Sequence, residues 1–331
     1  MISKIAFRNL KTGKLVCLNS LNTSKQLTRA SWRSFSDREE DINKILTSID
    51  PEREKFDNFL KNVPVYEQSL DDNLYPYFMN SEIIEGHATE KGTLRYMQRN
   101  DDEVPASNFR SPFNSDLKLS SVGIGTYVGA PDDRTDYYMY EAIKTSVLSG
   151  GVNVIDTAIN YRYQKSERTI GKILNSLISK YGYERDELFV CSKGGFIPDD
   201  ADHGVPGRII VEDLIKEGHM DKNDVISGYV HCMHPKFLEN QLLQSLKNMG
   251  LGTIDLYYLH NAYEMQGPNN TDNVVMDRFA AAFEFLEGAV EKGMIKNYGM
   301  ATWLWFRAKP TEDKIYLNLQ KIVSHIMNIL G

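Results

Sequence analysis

The chain has 331 residues, 41% hydrophobic and 25% charged, a balance that can bury a sizeable globular core and does not read as a disordered chain. A formal net charge of −7 argues against a nucleic-acid partner, and three cysteines give no disulfide framework. No apolar run approaches the roughly 18 residues of a membrane span, so membrane insertion is not expected.

The first 36 residues hold seven basic side chains (Lys4, Arg8, Lys11, Lys14, Lys25, Arg29, Arg33) and no Asp or Glu. This is transit-peptide composition, most like a mitochondrial presequence, with a cleavage site expected near Ser34 to Ser36. A basic tail on a cytoplasmic protein is the other reading. Residues 37–115 are polar and irregular, with short helical patterns at 41–49 and 52–60. They are expected to form an N-terminal extension of unknown role, ending in a Pro- and Asn-punctuated boundary at 105–114.

Over 116–331 short apolar runs alternate with amphipathic segments of helical period, the α/β signature. Strands are expected at 119–125, 152–158, 188–193, 253–260 and 297–303. The intervening helices carry Met139, Ile143 and Val147, then Ile170, Ile173, Leu174, Leu177 and Ile178, then Leu238, Leu242, Leu246 and Met249. A fourth carries Phe279, Phe283, Leu286 and Val290, and a last one Leu319, Ile322, Val323, Ile326 and Ile329. A long connection, 194–235, separates the third strand from the third of these helices. Five strand-then-helix units fit a doubly wound sheet or a (β/α) barrel, and periodicity alone does not choose. Asp156, Lys193 and His260 each fall at or near the C-terminal end of a different strand, and in a barrel those ends converge on one mouth.

Reducing a carbonyl requires hydride delivery to carbon and a proton for oxygen. A tyrosine serves as that acid when a neighbouring ammonium favours its phenolate. An aspartate pairs with the ammonium, and a neutral histidine hydrogen-bonds the carbonyl and orients it. Asp156, Lys193, His260 and one of Tyr161 or Tyr163 supply this set. Taken singly, each has a plain structural reading: a capping carboxylate, a rim tyrosine, a solvated strand-end lysine, a core histidine. His231, Cys232 and His234 are too few for zinc, with Pro235 suited to a helix's first turn, and Asp199, Asp200 and Asp202 lack a calcium-loop pattern and read as a solvated loop. No metal site is expected.

The segment Gly151-Val-Asn-Val-Ile-Asp156-Thr-Ala-Ile-Asn-Tyr161, with Ser166, Glu167 and Gly171, resembles the aldo-keto reductase signature, whose five-residue offset selects Tyr161. Phe189-Val-Cys-Ser-Lys193 and Ile254-Asp-Leu-Tyr-Tyr-Leu-His260 are similar to the family's lysine and histidine strands. Gly123-Ile-Gly-Thr126 and Tyr298-Gly-Met-Ala-Thr302 extend the likeness. The resemblance implies a (β/α)8 TIM-barrel fold, here with about five of eight β/α units, and the catalytic set Asp156, Tyr161, Lys193 and His260. It also implies NADPH, or NADH, bound without a G-x-G-x-x-G motif, near Thr126, Tyr127, Asp156 and Thr302. Ala301 and Thr302 stand where the family usually has Ser and Asn. The expected activity is reduction of an aldehyde, ketone or sugar carbonyl. The alternatives are a non-catalytic or regulatory descendant, or a fragment of a longer enzyme.

Overall fold

The computed structural model describes residues 3–7, 15–16, 83–112, 115–303, 305–306, 309 and 318–330. The helices expected at 41–49 and 52–60, and the expected cleavage region, lie outside these residues. Strands β1 (Ser3–Phe7) and β2 (Leu15–Val16) pair antiparallel with each other. Helix α1 (Glu90–Gln98) follows, capped by Thr89, whose side chain accepts the Gly92 N–H. Next comes a short antiparallel pair, β3 (Phe109–Arg110) with β4 (Leu119–Ser120). The run expected as one strand at 119–125 is therefore two. Leu119 and Ser120 turn back onto the upstream segment, and only β5 (Ile124–Gly125) enters the main sheet.

The units then alternate as α2 (Asp133–Leu148), β6 (Val154–Asp156), α3 (Lys165–Tyr181), β7 (Phe189–Gly194), α4 (Gly207–Lys216), α5 (Pro235–Met249) and β8 (Ile254–His260). They continue with α6 (Ala262–Gln266), α7 (Asp272–Glu291), β9 (Ile295–Thr302) and α8 (Leu319–Leu330). Local chemistry sets the ends of the long helices. Asp132 caps α2 by accepting the Thr135 N–H, Pro235 opens α5, and Gly182 and Gly250 close α3 and α5 in the left-handed conformation. Helix α4 falls inside the connection 194–235, which the sequence pattern left without an element.

Strands β5 to β9 are parallel, and each lies beside its predecessor in chain order. A doubly wound sheet reverses its order at a switch point. This one does not, so the order is that of a barrel wall, and the described strands form a partial barrel. Strand β1 runs antiparallel along the outer edge of β9, with Ser3 opposite Thr302 and Phe7 opposite Tyr298.

Burial on both sides explains the continuous apolar runs, since all of β7 and β8 is buried. One face packs on the helices through Ile155, Val190, Tyr257 and Tyr298, with Ile170, Leu242 and Phe283 opposite. The other face carries a second cluster of Phe189, Cys191, Leu256, Tyr258 and Ala301, with Val154 packed on it. Side chains alternate along a strand, so Asp156, Lys193 and His260 follow Val154, Cys191 and Tyr258 onto this inner face. Their convergence is set by period two.

The described residues from 83 to 115 belong to the same compact unit as the sheet. Arg95 of α1 and Arg99 at its C-cap both bond the buried Glu187, at 2.7 and 2.6 Å. The buried Asp255 accepts the Ala88 N–H at 2.6 Å, the Arg185 guanidinium at 2.7 Å and the Val190 N–H at 2.8 Å. Removing its carboxylate strands a buried cation and two N–H groups. Asp255→Ala is expected to cost about 3–5 kcal/mol in urea unfolding, while Asp221→Ala, at an exposed 3-10 turn, costs under about 1 kcal/mol.

Candidate active site

The site gathers where β6, β7 and β8 end. Lys193 is fully buried, and an unpartnered ammonium there would be costly. Its Nζ lies 2.6 Å from Asp156 Oδ1 and donates to Thr157 O at 2.7 Å. The same Nζ sits 4.6 Å from the centre of the Tyr161 ring. Tyr161 packs edge-on against His260, with ring centres 5.6 Å apart, and Phe196 closes on His260 from another side at 4.9 Å. The four residues expected to act together are thus adjacent, and Tyr161 and His260 are both buried. Tyr163 is the exposed member of the tyrosine pair, with 48% of its surface accessible.

The residues expected near a cofactor divide. Tyr127 stands at the mouth, largely exposed, with its ring 5.1 Å from that of Tyr161. Thr126 is fully buried, and its hydroxyl bonds Thr157 Oγ1 at 2.8 Å, so it acts as a floor beneath Asp156. Thr302 is fully buried at the end of β9. Among the described residues, Thr302 Oγ1 and Asn261 Oδ1 are buried side-chain atoms with no hydrogen-bond partner, and both lie at strand ends beside His260. A carboxamide offers a donor and an acceptor, so these two atoms fit one end of a nicotinamide.

Tyr161 is held by a backbone that costs energy. Arg162, Tyr163 and Gln164 all have positive φ, at 50°, 53° and 74°. A charged network clamps this segment. Arg162 bonds Asp136 and donates to Ala130 O and Asp132 O. Lys165 pairs with Asp133, Asp136 and Asp202, and Arg168 with Asp200 and Asp202. The loop read from the sequence as solvated is in fact tied to α3. Burial alone would raise the carboxyls of Asp200 and Asp202. Bonds from Arg168 and His203 instead hold Asp200 below the usual carboxylate range, and Lys165 and Arg168 do the same for Asp202.

Behind the site, Glu167 is completely buried and joins α3 to β7 through Ser192 and to α5 through Asn248, at 2.5 and 2.9 Å. Burial pushes its carboxyl up from the ordinary value. His231 lies under His260, and its Nε2 meets the His260 carbonyl at 2.9 Å. Burial lowers His231 to about 4, against the opposing effect of that bond. Gly195, at φ +129°, is needed here because a Cβ would come within 2.5 Å of His231 Nε2. Asn160, next to Tyr161, places Oδ1 3.1 Å from His260 Nδ1. Beside Asn160 a cavity of about 610 Å³ opens between Tyr163, Phe196, Asp199, Arg208 and Tyr229.

Comparison with known proteins bears on this arrangement. Residues 121–317 match the model of the aldo/keto reductase family. Similar solved structures include the holo form of aldo-keto reductase AKR11C1 from Bacillus halodurans, at 19% identity over 60% of this chain and 51% of that one, TM-score 0.39. A putative aldo-keto reductase from Pseudomonas aeruginosa is 19% identical over 61% of this chain and 62% of its own, TM-score 0.39. The thermostable aldo-keto reductase Tm1743, in complex with the inhibitor epalrestat, is 19% identical over 58% and 53%, TM-score 0.38. The chain thus covers less than two thirds of the length of each of these structures.

The clamp has a pH signature. A carboxylate held ionised contributes stability above its unfolded pKa of about 3.9, and that contribution is lost as pH falls through the lower folded value. Arg168→Gln is therefore expected to lower the melting temperature at pH 7. The gap from the wild type should narrow as thermal unfolding is followed from about pH 4 downward.

Proposed function

The chain belongs to the aldo/keto reductase family, and from that premise we propose that it reduces an aldehyde, ketone or sugar carbonyl, with Tyr161 as proton donor and NADPH, or NADH, as hydride source. One observation carries the reading: the buried Lys193 ammonium, paired with Asp156 at 2.6 Å, faces the Tyr161 ring at 4.6 Å. A bound nicotinamide supplies the hydride. The protein's share is the proton and the environment.

An ammonium beside a phenol favours the charged form of the oxygen, which makes the phenol a better acid toward a nascent alkoxide. Asp156 holds that ammonium in place, because two of its three N–H directions are spent on Asp156 and Thr157. His260 packs edge-on against the Tyr161 ring, and Phe196 packs against His260 in turn. Tyr127, Thr126, Asp156 and Thr302 are the residues proposed to line the cofactor's nicotinamide end, with Asn261 Oδ1 beside them.

Fluorescence titration of the purified chain with NADPH and NADH, followed by cofactor oxidation over a panel of carbonyls, tests this. Tyr161→Phe is expected to bind cofactor as the wild type does and to lose about 10²- to 10⁴-fold in kcat. Absence of binding to either cofactor would refute the reductase reading of this chain.

A further inference from the structure

The side chains gathered at the strand ends leave unexplained the cavity of about 610 Å³ beside Asn160, which has the volume of a small-molecule pocket. It opens directly off their site. Two of its lining residues meet His260, Asn160 at 3.1 Å and Phe196 with ring centres 4.9 Å apart. Its walls are held by the backbone of the long connection after β7. The Ile197 N–H donates to Val230 O at 3.1 Å and the Cys232 N–H to Gly195 O at 2.8 Å, which ties residues 228–230 to the chain leaving that strand. The start of α4 is fixed from the other side. The Gly207 N–H donates to Asp199 Oδ1 at 2.9 Å, and a Cβ on Gly207 would run into the Pro198 carbonyl. Two lining tyrosines, Tyr163 and Tyr229, have left-handed backbone, at φ 53° and 56°. That conformation costs a bulky residue energy and persists only where its surroundings impose it.

Arg208 is the cation of this lining. Around the mouth Arg162, Lys165 and Arg168 are each set against carboxylates, whereas Arg208 has no hydrogen-bond or ion-pair partner among the described residues. It does not serve its own helix either. It stands in the first turn of α4, where the helix dipole favours an acid and opposes a cation. Asp199, the one acid among the described lining residues, is already an acceptor for the Gly207 N–H. An uncommitted guanidinium at an aromatic-walled cavity matches a planar anion, which its fork takes by two parallel N–H bonds. We propose that Arg208 is a specificity-determining residue that binds a carboxylate at the far end of the substrate, with the carbonyl beside Tyr161 and the spacer along Phe196, Tyr163 and Tyr229. The substrate class is then oxo-carboxylates with an apolar or aryl spacer. This rests on the reduction reading only in placing the carbonyl beside Tyr161.

The test is calorimetric titration of the full chain, alone and with NADP⁺ added, with 4-formylbenzoate and 4′-formylbiphenyl-4-carboxylate, each against its methyl ester. Acid and ester share the aldehyde and the rings and differ in charge, and the two lengths probe how far Arg208 lies from the reacting end. The acid of one length or both is expected to bind about tenfold more tightly than its ester, as befits a hydrogen bond between charged groups. Arg208→Gln is expected to bind acid and ester alike, and Arg208→Glu to favour the ester. Equal or absent binding of acid and ester at both lengths, or an acid preference that survives in Arg208→Gln, overturns the inference. These readouts need no turnover. A chain that shows the preference yet oxidises neither cofactor removes the reduction reading alone, and a working reductase of neutral carbonyls that lacks it removes this one alone.

Discussion

The site depends on one buried ion pair. Lys193 has no exposed surface, and a lysine in that position stays charged only if the protein replaces the water it has lost. Strand β6 and the residue that follows it supply the replacement, with the Asp156 carboxylate and the Thr157 carbonyl, so the pairing of β6 with β7 and the solvation of the ammonium are one requirement. Tyr161 lies over the result. A register slip of one residue between these strands would turn Lys193 toward the helices and leave Asp156 without its partner.

Holding the tyrosine over the lysine is a separate problem, because Tyr161 belongs to a loop. Three successive non-glycine residues in the left-handed region follow it, a conformation that persists only when its surroundings over-determine it. The surroundings are Arg162, Lys165 and Arg168 set against Asp136, Asp200 and Asp202. These charges come from α2, from the turn before α3 and the first turn of α3 itself, and from the connection after β7. The elements bordering the mouth are therefore cross-linked by electrostatics as well as by apolar packing. Glu167 and His231 serve the same end from below, one through Ser192 beside Lys193 and the other through the backbone of His260.

Much of this was legible in the sequence. Asp156, Lys193 and His260 were each expected at or near the C-terminal end of a different strand, and they stand at the ends of β6, β7 and β8. Tyr161, which the five-residue offset chose over Tyr163, is buried, whereas Tyr163 is exposed. What escaped was non-local. Asp200 and Asp202 look like solvated loop residues until Arg168, more than thirty positions earlier, is brought against them. Asn160 reads as an ordinary turn residue, since its partner lies 100 positions away. The split of 119–125 into two short strands depends on Phe109 and Arg110, which carry no strand pattern of their own.

The central claim is that Asp156 and Lys193 act as one unit on Tyr161, and a double-mutant cycle in kcat/KM tests it most directly. Groups that work only together show losses that do not add. With Asp156→Asn, Lys193→Met and the double variant measured on one substrate, the account predicts that the double variant is no slower than Lys193→Met alone. Losses that multiply, as for two residues acting independently, would contradict it.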